Sequence, residues 1–128
     1  MSRQAFEAKL QALDGLRGSP QAVAGLRKAL SDRNNYVVSK AAALAAELRL
    51  AELLPDLLAA FDRFFSDPVK TDPQCWAKIA IAKALKELEY TDAAPYLRGL
   101  KHVQMEAVYL RQRADSAPIL RGTCALAL

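Results

Sequence analysis

Apolar residues recur at steps of three and four along most of the chain. Val37, Ala41, Leu44 and Leu48 form one such stripe, and Ala77, Ile81, Ala84 and Leu88 repeat it. This spacing puts the apolar positions on one face of a 3.6-residue helix and predicts two amphipathic helices. Three further stripes predict three more: Phe6, Leu10 and Leu13; Val23, Leu26 and Leu30; and Leu54, Leu57, Leu58, Phe61 and Phe65. A sixth carries Ala93, Leu97 and Leu100, and its spacing runs on through Ala107 and Leu110. The first helix is expected to end near Gly15 or Gly18, residues that suit a C-terminal cap. Asp72-Pro73 and Ser19-Pro20 each read as an N-cap side chain followed by a proline in the first turn. The segment SDPVKTDP at 66–73 carries two prolines and is expected to be a loop.

The stripes repeat as a set. ELRLAELLP at 47–55 and ELEYTDAAP at 87–95 share their opening Glu-Leu, an acid at the sixth place (Glu52, Asp92) and a closing proline. Shifting the sequence by 40 lays Asp32 on Asp72, Tyr36 on Trp76, Ala42 on Ala82, Pro55 on Pro95 and Leu57 on Leu97. A further shift of 43 lays Asp72 on Asp115, Trp76 on Ile119, Lys78 on Arg121 and Leu85 on Leu128. A period in this range marks stacked supersecondary units, each too small to bury its own stripe. Glu52 and Asp92 are expected near the starts of the second helices, where an anion suits the helix dipole.

These residues resemble the HEAT repeat family. In that family a first helix follows an Asp, begins near a Val-Arg pair and runs through alanines to a Leu, and a second helix carries a Pro and a Leu-Leu pair. DRNNYVVSKAAALAAELRLAELLPDLLAAF (32–61) and DPQCWAKIAIAKALKELEYTDAAPYLRGL (72–100) fit that layout, and DSAPILRGTCALAL (115–128) fits a first helix. Val38 stands where the family has its basic residue, and neither full copy has the usual turn glycine. The resemblance implies an all-α, right-handed superhelix of about three helix pairs plus a partial fourth. Its approximate units are 1–31, 32–66, 72–112 and 115–128. The last stripe stops unfinished at Leu126 and Leu128, so a fragment of a longer protein is expected; packing of that end on a second copy is the alternative.

Composition agrees with helices. Hydrophobic types make up 52% of 128 residues, rich in Ala and Leu, with only five glycines. Ala and Leu favour helix over strand. No apolar run reaches the roughly 20 residues a membrane helix needs, and the N-terminus lacks a signal-peptide core. Cys75 and Cys124 have no metal-site spacing. They read as reduced, buried thiols, which points to a cytoplasmic protein.

No catalytic set, phosphate loop or dinucleotide fingerprint is present. His102 is the only histidine and belongs to no nucleophile motif, so no enzyme activity, cofactor or metal is expected. Tyr36, Trp76 and Ile119 share a slot at the start of each first helix and are expected to pack between units. Lys78, Lys83 and Lys86 share one arc and are expected to face solvent. In arrays of this type the second helices commonly line the concave surface. On that reading Arg27, Asp56, Arg63, Tyr96, Arg98 and Lys101 project toward a protein partner. The charge of +4 leaves nucleic acid as a second reading, but the aligned second-helix residues Arg27, Leu58 and Arg98 form a broken basic ladder. A third reading, an accessory of a chromophore lyase, rests on the repeat resemblance alone.

Overall fold

Each of the six stripes lies on a helix, though the last is shorter than its spacing predicts. The computed structural model describes residues 1–128. Helices α1 (Arg3–Asp14), α2 (Ala22–Leu30), α3 (Asn35–Glu47), α4 (Leu54–Arg63), a single turn α5 (Pro68–Thr71), α6 (Trp76–Glu87) and α7 (Ala93–Leu100) follow in order. A hairpin of β1 (Met105–Tyr109) and β2 (Gln112–Asp115) comes next, and α8 (Pro118–Ala127) closes the chain. No helix is long and apolar enough to cross a membrane.

α3 and α6 form the central contact. α1 and α2 pack on one side of α3, α4 packs on α6, and α8 packs on both α6 and α7. Ala41, Ala42, Ala45 and Ala46 on α3 and Ala77, Ala82 and Ala84 on α6 are buried, so the two backbones approach closely. Leu26, Leu53, Leu57, Ile81, Leu85 and Leu120 fill the rest of the interior.

The repeated nine-residue stretch is a repeated turn. Arg49 and Glu89 both take left-handed backbone, with φ of 56° and 60°. Leu50 N–H donates to Ala45 O at 3.0 Å and Tyr90 N–H to Leu85 O at 2.9 Å. Arg49 N–H donates to Ala46 O and Glu89 N–H to Lys86 O. Both ends are therefore Schellman caps, built without the glycine that normally takes the left-handed place. Pro55 and Pro95 sit in the first turns of α4 and α7, where a missing N–H leaves no intrahelical bond unmade. Asp92 caps α7 through Ala94 N–H, and Glu52 lies in the 3-10 turn that leads into α4.

Several expectations are corrected. The second-helix stripe does not run on through Ala107 and Leu110, because α7 ends at Leu100 and the chain turns into a hairpin. α7 is also rotated. Tyr96 and Gly99 are its buried residues, while Ala93 and Leu97 are exposed. The phenol fills the core, and Gly99 lets α8 approach through Cys124. The 66–73 stretch contains α5 rather than loop alone. Helices α2 and α6 start later than their Ser-Pro and Asp-Pro signals, at Ala22 and Trp76. Asp72 still serves α6, but across a 3-10 turn, accepting from Ala77 N–H at 2.8 Å and Lys78 N–H at 3.0 Å. Lys78 does not face solvent. It is fully buried against Asp72, whereas Lys83 and Lys86 are exposed.

Candidate functional site

Ion pairs tie the second helices to one another. Arg27 on α2 donates to Asp56 on α4 at 3.2 Å, and Arg98 on α7 pairs with Asp62 on α4. The Arg98 guanidinium also lies 4.2 Å from the Phe65 ring centre. Arg63 turns inward and donates to the carbonyls of Leu30 and Asp32, at 3.0 and 2.9 Å. Burial lowers its pKa against an opposing pull from Asp32. Tyr96 is corrected: it is buried rather than projecting, and its hydroxyl donates to Tyr90 O at 2.7 Å. Of the six side chains expected to meet a partner, Lys101 alone is exposed without an ion pair or hydrogen bond. The face read as a binding surface is largely occupied in holding helices together.

Two grooves lie between successive first helices. Phe6, Tyr36 and Trp76 form a ladder of rings, with centroids 5.8 and 5.6 Å apart. The expected packing therefore holds for Tyr36 and Trp76, but Trp76 stays 46% exposed and Ile119, at 62%, packs little. Beside the ladder, a groove of about 460 Å³ runs between α3 and α6. Its lining includes Ala43, Ala46, Ala80 and Ala84, with Lys40 and Lys83 contributing cations. Small side chains make it a depression, because they leave the surface above the closely packed backbones unfilled. A second groove of about 300 Å³ continues past Tyr36 between α1 and α3, where Arg17 pairs with Glu47 at 2.8 Å.

A polar cluster anchors the hairpin. Asp72 Oδ1 accepts from Asn35 Nδ2 at 2.9 Å, while Lys78 Nζ donates to Asp72 Oδ2 and to Phe64 O. Gln104, buried, donates to Asp72 O at 2.8 Å and to Glu106 Oε2 at 3.0 Å. The Cys75 thiol donates to Gln104 Oε1 at 3.2 Å, and His102 Nε2 meets the same oxygen at 2.8 Å. Thiol and imidazole thus share an acceptor and do not form a nucleophile–base pair. Burial raises the Cys75 pKa, which opposes thiolate formation. Both cysteines are free and buried. The cluster is fully satisfied and works as a structural tie.

No repeat-level signal marked Gln104, whose role depends on a chain reversal that the sequence hid. Lys78 does carry a repeat-level signal. It shares its slot with Arg121, and both reach back six residues to an aspartate. Comparison with known protein families, characterised proteins and solved structures gives no match.

Proposed function

We propose that the chain is a HEAT-like helical-repeat module that binds another protein, and that the α3–α6 groove is its binding surface. The observation that carries the reading is the alanine-lined groove beside the Tyr36–Trp76 ring pair, with Lys40 and Lys83 among its lining residues. Small floor residues beside a half-exposed indole suit an apolar anchor on a partner, and buried tryptophans are frequent hot spots of such contacts. The lysines favour acidic neighbours around that anchor. Shared contacts between successive helix pairs, the Schellman turns at Arg49 and Glu89, and the matching prolines support the repeat reading. The paired Arg27 and Arg98 favour this reading over nucleic acid, because acids already neutralise them.

Affinity capture from the source organism, comparing the wild type with Lys40→Glu/Lys83→Glu, tests it. Both lysines are exposed, so the variant folds. A protein held by the wild type and released by the variant supports the groove. Identical capture by the two removes it.

A further inference from the structure

The hairpin between α7 and α8 presents an apolar tip. Val108, Tyr109 and Leu110 are 61%, 72% and 76% exposed. Tyr109 pairs with Gln112, leaving Leu110 and Arg111 as a two-residue loop with φ of 41° and 65°. Positive φ at both places is the type I′ pattern that normally selects Asn-Gly. Leucine and arginine hold it here against their own steric preference. Strain of this sort concentrates where a segment meets a ligand. The distal half of the hairpin carries Arg111 and Arg113 and no acid. Tyr109 and Leu110, with Arg111 and Arg113 beside them, form an exposed apolar tip.

A socket of matching chemistry lies at the hairpin root. A groove of about 520 Å³ is lined by Trp76, Ile79, Val108, Pro118, Ile119 and Glu106, among others. Glu106 Oε2 is fixed by three donors: Gln74 N–H at 2.7 Å, Gln104 Nε2 at 3.0 Å and the Ser116 hydroxyl. Its Oε1 receives no hydrogen bond from the chain. No buried side-chain oxygen lacks a partner, so this atom is open to solvent. Burial raises the Glu106 pKa, but the bonds from Ser116, Gln74 and Gln104 outweigh it and leave the group below its ordinary value. An ionised carboxylate held rigidly near an indole suits a guanidinium with an apolar neighbour. The groove's other acid, Asp115, is already taken by Arg121 and by the N–H groups of Gln104 and Ala117.

Val108 lines this groove in its own chain, but the β1–β2 pairing leaves Tyr109, Leu110 and Arg111 outside its lining, so the end of the tip does not fill the socket of the same chain. A second copy can. Strand residues advance about 3.4 Å each, so the separation from Glu106 to Arg111 is the same in both copies. A two-fold axis setting two hairpins side by side, antiparallel, then brings each tip to the other's root. One isologous contact satisfies both sites. We propose that two copies of this chain exchange hairpin tips, with Leu110 seated between Trp76 and Ile119 of the other copy and Arg111 on its Glu106. The two grooves share Trp76 and Ile79, but Lys40 and Lys83 line the α3–α6 groove alone, so the tip variants and the lysine variant test the two contacts separately.

Sedimentation equilibrium of the full chain across micromolar to millimolar concentration tests the exchange, with Leu110→Asp and Arg111→Glu alongside. Both variants alter exposed tip residues, and circular dichroism confirms their fold. The wild type is expected to pass from 14.0 kDa to twice that mass as concentration rises. Each variant is expected to shift the midpoint at least tenfold upward. Emission of Trp76, the single tryptophan, moves to the blue on association. A wild type that stays monomeric at millimolar concentration overturns the proposal. So does a dimer that both variants form as readily, or one that leaves Trp76 emission unchanged.

Discussion

Lys78 Nζ lies 3.0 Å from Asp72 Oδ2, and both side chains are sealed from solvent. The ammonium also donates to Phe64 O, and the carboxylate accepts from Ala77 N–H, Lys78 N–H and Asn35. The pair therefore ties the start of α6 to the end of α4. Removing one partner of a buried, hydrogen-bonded pair leaves an uncompensated charge, which costs about 3–5 kcal/mol. Lys78→Met is expected to lose that much in urea unfolding. Exposed Lys83→Met should stay within about 0.5 kcal/mol. Equal midpoints for the two variants would show that the buried pair contributes nothing.

This pair also shows what the sequence could and could not convey. Laying repeat on repeat put Asp72 over Asp115 and Lys78 over Arg121, and the structure pairs each aspartate with the base six residues on. Where the slot holds Val38 instead, Asp32 takes Lys9 from α1 at 2.7 Å. Helix stripes and proline positions were legible because they report local periodicity. The hairpin was not, since its turn is Leu110-Arg111 rather than a glycine or asparagine signal, and Ala107 and Leu110 kept helical spacing. Nor was the rotation of α7. It depends on Tyr96 finding Tyr90 O and on Gly99 meeting Cys124, contacts between elements that no single stripe encodes. The intramolecular partners of Arg27, Asp56, Arg63 and Arg98 were hidden for the same reason: a charged side chain on a second helix looks alike in sequence whether it meets solvent or the next helix.

Glu89 holds a left-handed cap with φ of 60°. A non-glycine residue there is disfavoured by about 1–2 kcal/mol, while glycine loses roughly 0.5–1 kcal/mol through its freer unfolded chain. The Glu89 side chain is exposed and makes no hydrogen bond or ion pair. Glu89→Gly is therefore expected to stabilise the protein by about 0.5–1 kcal/mol, read as a raised denaturation midpoint. Arg49→Gly should gain less, because its guanidinium donates to Glu87 O at 2.7 Å and that bond is lost. Destabilisation by Glu89→Gly contradicts the strain argument.

A Cβ on Gly99 would stand 2.4 Å from Cys124 Sγ and 3.5 Å from Phe61 Cζ. The sulfur is buried in α8 and cannot swing away without opening the α7–α8 contact. Gly99→Ala is expected to destabilise by about 1–3 kcal/mol, the range for overpacking, despite alanine's better helix propensity. Cys124→Ala removes the clashing atom. In a double-mutant cycle, Gly99→Ala should then become neutral or stabilising in the Cys124→Ala background. Additive effects would place the strain elsewhere.

Asp115 titrates far below an ordinary aspartate, falling from 3.8 to about 2. The N–H groups of Gln104 and Ala117 are the leading causes, and Arg121 adds to them. A depressed folded pKa stabilises above the unfolded value, and that contribution is lost as pH falls from about 4 through about 2. Asp32 and Glu106 are also lowered, so the wild type loses stability over the acid range from several groups. Asp115→Asn isolates one of them. The variant should be less stable than the wild type at pH 6, and the gap should close as pH drops toward 2, read by thermal or urea unfolding at each pH. A gap that keeps its size down to pH 2 would mean that the carboxylate's charge plays no part in holding the hairpin root to α8.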